Sequence, residues 1–172
     1  MVDARIAELN ADDPDVLRRR LLALTASPAW ADALLAGRPY DDLDALLATS
    51  DEAVAALDAT QVDAALAGHP RIGERAAGLS EESAARSAQE QAGMAQAGPE
   101  AADDMARANA AYEERFDRIY LVAAAGRTAE ELLSLAQQRL GNDPETELDV
   151  VRGELARISR LRLADTVEGS PR

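Results

Sequence analysis

His69 is the only histidine of the 172-residue chain, and so the only side chain whose unperturbed pKa lies near neutrality. It stands between Gly68 and Pro70, and a residue before proline avoids helical dihedral angles, so a helix must end here. At a helix end the ring can project into a cleft, and the helix dipole favours the protonated imidazole. General acid–base catalysis is one interpretation of His69. A surface or capping histidine is the other, and position alone favours it.

A second polar group lies in the sequence SAQEQ at 87–91. If this stretch is helical, Ser87, Glu90 and Gln91 fall on one face at spacings of i, i+3 and i+4. A hydroxyl, a carboxylate and an amide would then lie side by side, which suits the binding of a small heterocycle. The alternative is the solvated face of an alanine-rich helix, and the spacing by itself does not decide between the two.

Two further stretches combine apolar packing with possible contacts to a ligand. The run IYLVAAAG at 119–126 is typical of a buried core, but its small residues also allow a ligand to approach the backbone. Arg160 and Arg162 lie among apolar residues in ISRLRLAD, where either stem can cover the core and its guanidinium can bind a carboxylate or a carbonyl. The alternative is a surface ion pair with one of the 32 acidic residues. The aromatic residues interpreted as core anchors without chemistry are Trp30, Tyr40, Tyr112 and Phe116.

Composition excludes several kinds of site. The absence of cysteine rules out disulfides and thiolate catalysis, and a single histidine without cysteine argues against a zinc site. The sequence contains no P-loop, dinucleotide fingerprint or GxSxG elbow. A net charge of −14 argues against nucleic acid or an anionic membrane as a partner. No apolar run approaches the ~20 residues that span a bilayer, and the first residues lack a secretory pattern, so we expect a cytoplasmic protein.

The same composition predicts the fold class. Strong helix formers dominate, whereas aromatic residues make up 3% of the chain and β-branched residues are sparse. We therefore expect an all-α, single-domain bundle of about eight helices over residues 1–172, with a frayed tail at 166–172.

Start and stop signals place the first helices. Asp13-Pro14 and Ser27-Pro28 each combine a capping residue with proline at the first helical position. A third helix is predicted to start near Asp42, and Ser50 to cap a fourth. Thr60 with Asp63 resembles a capping box for QVDAALA.

The later helices follow the same kinds of signal. Residues 68–78 are predicted to form a loop, after which Ser80 caps one continuous helix through EESAARSAQEQAGMAQA. A long helical pattern covers 99–125, Thr128 and Glu131 form a capping box, and the last helix runs from Pro144 to about Asp165.

Taken in order, these segments resemble the OHCU (2-oxo-4-hydroxy-4-carboxy-5-ureidoimidazoline) decarboxylase family. The combination of His-Pro with S-x-x-E-Q is more specific than either alone, and the resemblance covers nearly the whole chain. The segments that carry it are SPAWADALLAGRPYDDLDAL at 27–46, GHPRIG at 68–73, SAQEQAG at 87–93, NAAYEERF at 109–116, LVAAAGRTAEELL at 121–133 and RISRLRLAD at 157–165.

The resemblance implies a carboxy-lyase of urate degradation, a branch of purine metabolism, which forms (S)-allantoin. It further implies an all-helical fold, a homodimer, and no metal or organic cofactor. By matched position, His69 would be the catalytic acid–base group, with Pro70 beside it, and Glu90 would line the substrate. We further expect Glu90 to hold His69 in place. The residues expected at the substrate are Ser87, Gln91, the backbone of Tyr120, Leu121, Val122, Ala123 and Ala124, and, on the last helix, Arg162 as a better match than Arg160.

Two departures leave alternatives open. The family's usual FPF is Arg118-Ile119-Tyr120 here, and its HPDLAG is HPRIGE. The first departure is compatible with the same fold acting on a related ureide. A second alternative, from composition alone, is a non-catalytic, acidic helical module that binds a protein partner. The enzyme predicts that His69, Glu90 and an arginine share a closed pocket, whereas the module predicts that they scatter over the surface.

Overall fold

The computed structural model describes residues 2–74 and 80–169, and within them the chain is helical and has no β-strand. The all-α fold class is therefore confirmed. The helices are α1 (Val2–Ala11), α2 (Pro14–Leu24), α3 (Pro28–Ala36), α4 (Leu43–Ala55), α5 (Ala59–Leu66), α6 (Glu81–Glu90), α7 (Ala92–Ala95), α8 (Pro99–Phe116), α9 (Ala129–Arg139) and α10 (Pro144–Glu168).

The chain packs as two compact units. One unit contains the residues up to Ala65 together with those from Leu155 onward, and the other is Leu66–Glu154. The single domain expected from the sequence stays a prediction.

The first unit contains α1 to α4, most of α5 and the last part of α10. Asp13 and Ser27 cap α2 and α3 as predicted. Ser50 does not begin a helix, because α4 runs through it without interruption. Its buried hydroxyl accepts a hydrogen bond of 2.9 Å from the indole Nε1 of Trp30, which is itself fully buried.

Other helix ends also differ from the sequence predictions. The helix α5 is capped by Asp58 rather than Thr60: the N–H of Asp58 donates to Gln61 Oε1 and the N–H of Gln61 donates to Asp58 Oδ1, at 2.9 and 2.8 Å. The segment before Pro14 also forms a helix, and short α7 is separate; the ten helices of the described residues are roughly consistent with the expected number of about eight. The helix α10 continues to Glu168, so residues 166–168 are helical rather than frayed; residues 170–172 lie outside the described part.

The second unit packs around an apolar cluster in which α8 and α9 meet. Tyr112 lies at its centre, with its ring 4.7 Å from that of Phe116 and 5.3 Å from that of Tyr120. The members of the cluster are Ile72, Met94, Met105, Ala108, Tyr112, Phe116, Tyr120, Val122, Ala124, Leu132 and Ala136.

Two predicted helices of this unit are interrupted. The helix after Ser80 breaks at Gln91, which has φ −97° and ψ 21°, so that α6 and α7 are separate. The helix α8 ends at Phe116 rather than near 125, because Asp117 adopts the left-handed conformation with φ 54°. Residues 119–124 are consequently not helical.

Candidate active site

His69 follows the end of α5, as the proline after it predicts. The helix stops at Leu66, and the His69 N–H donates to the Leu66 carbonyl at 2.9 Å. The residue is half-buried and its ring atom Nε2 is buried. The ring therefore lies against protein rather than in open solvent, which is the setting that an acid–base group needs.

The loop after His69 is held by side chains of α6 to α8. The Asn109 Nδ2 atom donates to the Ile72 carbonyl at 2.9 Å, and the Gly73 N–H donates to Gln91 Oε1 at 2.8 Å. Gly73 has φ +86°, a backbone conformation that favours glycine. The predicted loop at 68–78 is thus present as far as Glu74, and the rest of it lies outside the described residues.

A surface ion pair holds the same loop at Arg71. Its guanidinium Nη2 donates to Glu113 Oε2 at 3.0 Å, and a second contact joins its Nε to Oε1 of the same carboxylate. This hydrogen bonding lowers the pKa of Glu113 and raises the pKa of Arg71, so both groups are charged at neutral pH. The pair connects the loop to α8 three residues before that helix ends.

Ser87 and Gln91 line a cavity of about 460 Å³ next to this loop. Ser87 is buried on the inner face of α6, and Gln91 is half-buried at the end of that helix. Their i, i+4 spacing brings them to one side, as predicted from the sequence. The other described residues that line it are Gly73, Glu74, Ala84, Ala88, Met94, Ala95 and Ala102.

Glu90 and His69 are not among the residues that line this cavity. Glu90 lies beside a second, more open cavity of about 530 Å³, together with Gly93 and residues 126–130. Ser87, Glu90 and Gln91 were expected to lie side by side on one face, but only Ser87 and Gln91 line the same cavity. Glu90 and Gln91 are adjacent residues at the point where α6 ends, and they line different cavities.

The non-helical segment Tyr120–Ala124 is buried throughout. The side chains of Tyr120, Val122 and Ala124 belong to the apolar cluster of the unit, whereas those of Leu121 and Ala123 do not. This alternation is typical of an extended backbone. Such a backbone exposes its N–H and C=O groups to neighbouring atoms, which a helix would not do.

Charged side chains bind this segment at Leu121 and Ala123. Arg139 Nη1 donates to the Leu121 carbonyl at 2.6 Å, and the Ala123 N–H donates to Glu154 Oε2 at 2.8 Å. Arg127 Nε donates to the Ala123 carbonyl at 3.1 Å. Of the backbone N–H groups from Tyr120 to Ala124, only that of Ala123 donates to a described residue.

Arg139 itself belongs to a buried polar network. Its Nε donates to Glu147 Oε1 at 2.7 Å, and its guanidinium lies over the ring of Tyr120 at 4.9 Å. The hydroxyl of Tyr112 also donates to Glu147, whose side chain is fully buried. Burial and the Glu147 hydrogen bond raise the pKa of Tyr112. Burial is the largest influence on Arg139 and lowers its pKa, but the hydrogen bond with Glu147 and the attraction of Tyr112, Glu147 and Tyr120 together outweigh it, so the pKa of Arg139 is raised.

Four residues of this region were not predicted from the sequence: Arg139, Glu147, Glu154 and Asn109. Asn109 opens the quoted segment NAAYEERF, but nothing in one sequence indicates that it binds a carbonyl 37 residues away. Arg139 is near the end of α9, where an arginine is ordinary. Tyr112 is a core anchor as predicted, although its hydroxyl also takes part in the network.

The two candidate arginines of α10 lie in the other unit. Arg160 is exposed and forms an ion pair with Asp51, with 2.8 Å between Nη1 and Oδ2. Arg162 is buried, and its Nη1 donates to the Leu24 carbonyl at 2.6 Å. The ion-pair interpretation is thus confirmed for Arg160, and the role of Arg162 at a substrate stays a prediction.

Comparison with known proteins agrees with this architecture. A family model described as OHCU decarboxylase matches residues 10–164. A protein of Amia calva named 2-oxo-4-hydroxy-4-carboxy-5-ureidoimidazoline decarboxylase is 32% identical over 144 residues, which are 82% of this chain and 81% of that protein. The chain belongs to the OHCU decarboxylase family.

Other relatives are longer or more distant. A uric acid degradation bifunctional protein of Bacillus subtilis is 29% identical over 162 residues, which are 93% of this chain and 32% of that protein. The chain therefore spans about a third of that bifunctional relative. A crystal structure of OHCU decarboxylase in the presence of (S)-allantoin shares the fold, with a TM-score of 0.74, 22% identity, and coverage of 87% of this chain and 97% of the other. Within the described residues, no helix is both long and apolar enough to cross a membrane.

Proposed function

We propose that this member of the OHCU decarboxylase family converts 2-oxo-4-hydroxy-4-carboxy-5-ureidoimidazoline to (S)-allantoin in urate degradation. The observation that carries the proposal is the hydrogen bond from the Gly73 N–H to Gln91 Oε1, which joins the loop after His69 to the S-x-x-E-Q helix. The two motifs that make the sequence specific for the family thus meet beside one cavity.

The substrate can supply its own electron sink. Its hydroxyl and carboxylate share one ring carbon, which lies next to a C=N bond. When the bond to the carboxylate breaks and CO₂ leaves, the electron pair moves towards that C=N bond and the nitrogen takes up a proton. The resulting enol then loses its hydroxyl proton while the neighbouring carbon is protonated. For such a reaction the protein must orient the substrate, stabilise the charge that develops on it, and transfer protons.

We assign the proton transfers to His69. Its half-buried ring stands at the end of α5, and Glu90, proposed to hold it, would favour the charged imidazolium. Pro70 keeps this residue out of the helix. Protonation from one fixed side makes the product a single enantiomer.

The remaining proposed roles concern binding. Ser87 and Gln91 would hydrogen-bond the ring or ureido group in their shared cavity. The N–H groups of Tyr120–Ala124 that do not bond a described residue would contribute further donors. Arg162 is proposed for a substrate oxygen.

The test is circular dichroism of the product when the substrate is generated in situ from urate. Wild-type protein should form the (S)-allantoin signal rapidly, whereas His69→Ala should leave only slow, racemic product. Replacing a positioned acid–base group costs typically ~10²–10⁴-fold in rate. Near-normal turnover by His69→Ala would refute the role of His69, and slow racemic product with wild type would refute the activity itself.

We also propose that the protein is a cytoplasmic homodimer. This rests on the family resemblance, and light scattering of the purified chain tests the oligomeric state. A monomer across the working range of protein concentrations would contradict it.

A further inference from the structure

Gly93 allows an unusually close approach between two backbones. A Cβ atom added there would lie 2.0 Å from the carbonyl oxygen of Arg127 and 3.1 Å from its carbonyl carbon. By contrast, a Cβ at Gly98 or Gly153 would have no atom within 4 Å. The requirement for glycine at 93 is therefore steric and specific to this contact.

The two backbones that touch belong to different parts of the candidate active site. Gly93 follows Gln91 by two residues, in α7. Arg127 is bound to the extended segment, because its N–H donates to the Ala124 carbonyl at 3.0 Å and its Nε donates to the Ala123 carbonyl at 3.1 Å. A change in the separation at Gly93 is thus transmitted directly to Ala123 and Ala124.

The Arg127 side of the contact cannot move away easily. Thr128 begins α9 with a complete capping box, in which its N–H donates to Glu131 Oε2 at 2.8 Å and its Oγ1 accepts from the Glu131 N–H at 3.2 Å. The carbonyl of Arg127 is therefore fixed between the hydrogen bonds to Ala123 and Ala124 and the start of a helix.

We propose that Gly93 is a positioning residue for the decarboxylation, because it sets the distance between the segments Ser87–Gln91 and Tyr120–Ala124. This inference rests on the proposed binding roles of those two segments. A methyl group at 93 needs about 1 Å more space than the 2.0 Å contact gives, and a displacement of that size can cost ~10²-fold in rate.

The direct test compares Gly93→Ala with Gly98→Ala and Gly153→Ala. For each variant, kcat, KM, the enantiomeric excess of allantoin and the thermal unfolding midpoint are measured with substrate generated in situ. We expect a ~10–100-fold loss of kcat and a lower enantiomeric excess for Gly93→Ala, and kinetics within about twofold of wild type for the two controls. A folded Gly93→Ala protein with wild-type kcat and enantiomeric excess would overturn the proposal.

A second variant decides the matter if Gly93→Ala does not fold. Arg127→Met keeps the backbone contact but removes the hydrogen bond from Nε to the Ala123 carbonyl. We expect a lower kcat and a lower enantiomeric excess in a folded protein whose unfolding midpoint is modestly lower, because the Ala123 carbonyl loses a donor. Arg107→Met, at an exposed position of α8, should match wild type. Wild-type enantiomeric excess in Arg127→Met would refute the proposal. If wild-type protein itself forms no (S)-allantoin, it is the proposed function that fails.

Discussion

Asn109 shows how one buried amide can control a loop that carries chemistry. Its side chain is 3% exposed and lies one helical turn beyond Met105 on α8, with its Nδ2 bound to the Ile72 carbonyl. A buried carbonyl that loses its donor costs about 1–3 kcal/mol. The amide therefore favours one conformation of the loop after His69.

Replacing Asn109 should show how much the order of the loop after His69 depends on this one hydrogen bond. Asn109→Leu keeps the branched shape of the side chain but leaves the Ile72 carbonyl without its donor. We therefore expect a lower kcat and a loss of about 1–3 kcal/mol in the free energy of unfolding. Steady-state kinetics and urea denaturation measure the two effects. Unchanged kcat in Asn109→Leu would mean that this hydrogen bond has no influence on His69.

Glu90 offers a second test at this scale. Glu90→Gln keeps the size of the side chain and removes its charge, so a loss of support for the imidazolium should appear as a change in the pH dependence of kcat. The matched control is Glu130→Gln, which lies beside the same cavity. If the pH profile of Glu90→Gln coincides with that of the control, Glu90 does not act on His69.

At the scale of the helices, the buried pair of Arg139 and Glu147 joins α9 and α10, and Arg139 also binds the extended segment at Leu121. The two groups are 2.6 Å apart between Arg139 Nη2 and Glu147 Oε1, and their side chains are 7% and 0% exposed. Removing one partner of a buried pair leaves an uncompensated charge, which costs ~3–5 kcal/mol, whereas replacing both with apolar residues can be nearly neutral.

A double-mutant cycle tests this network. Arg139→Met and Glu147→Leu should each be strongly destabilising in urea denaturation, and the double variant should be more stable than the sum of the two effects predicts. Additive effects would show that the two charges do not stabilise each other. The Leu121 carbonyl loses its donor in both variants that lack Arg139, so their kcat should also fall.

The starts of helices were predictable from the sequence wherever neighbouring residues mark them. Asp13-Pro14, Ser27-Pro28 and the Thr128–Glu131 capping box all begin helices as expected. Serine often caps helices, but the hydroxyl of Ser50 instead accepts a hydrogen bond from Trp30, a contact that depends on tertiary packing. Local rules cannot distinguish these cases, because the partner lies 20 residues away.

Only part of the arrangement of the candidate site could be predicted from the sequence. Ser87 and Gln91 share a cavity because i and i+4 positions of a helix meet whatever surrounds them. The break at Gln91 and the end of α8 at Asp117 were not predicted, because neither residue is a glycine or a proline that would mark it in the sequence. The family assignment disfavours the interpretation as a non-catalytic acidic module, for which composition was the only support.

At the scale of the whole molecule, all three tyrosines are held in surroundings that oppose their ionisation. Burial raises the pKa of Tyr40 and Tyr112, and it raises the pKa of Tyr120 to about 12. An exposed tyrosine in the unfolded chain titrates near ~10. The folded state therefore binds these protons more tightly than the unfolded state does.

This difference predicts an alkaline limit to stability. The free energy of unfolding should be unaffected by these groups below pH ~10 and should fall as the pH rises from there through the raised values. Urea denaturation over this range measures the effect, and Tyr120→Phe should lose less stability with rising pH than wild type. A free energy of unfolding that does not change between pH 9 and 12 would contradict the prediction.

The side-chain amide of Gln91 has an acceptor, Oε1, and a donor, Nε2. Its Oε1 accepts from the Gly73 N–H, while the residue lines the cavity assigned to the substrate. A ligand that accepts from Nε2 would fix the plane of the amide and so strengthen the bond to Gly73. Occupancy of the cavity and order in the loop are then thermodynamically linked, and the amide hydrogen of Gly73 becomes a reporter of that linkage. We expect saturating (S)-allantoin to slow its exchange with deuterium in wild-type protein, and to have little effect on it in Gln91→Glu, which keeps the acceptor and loses the donor.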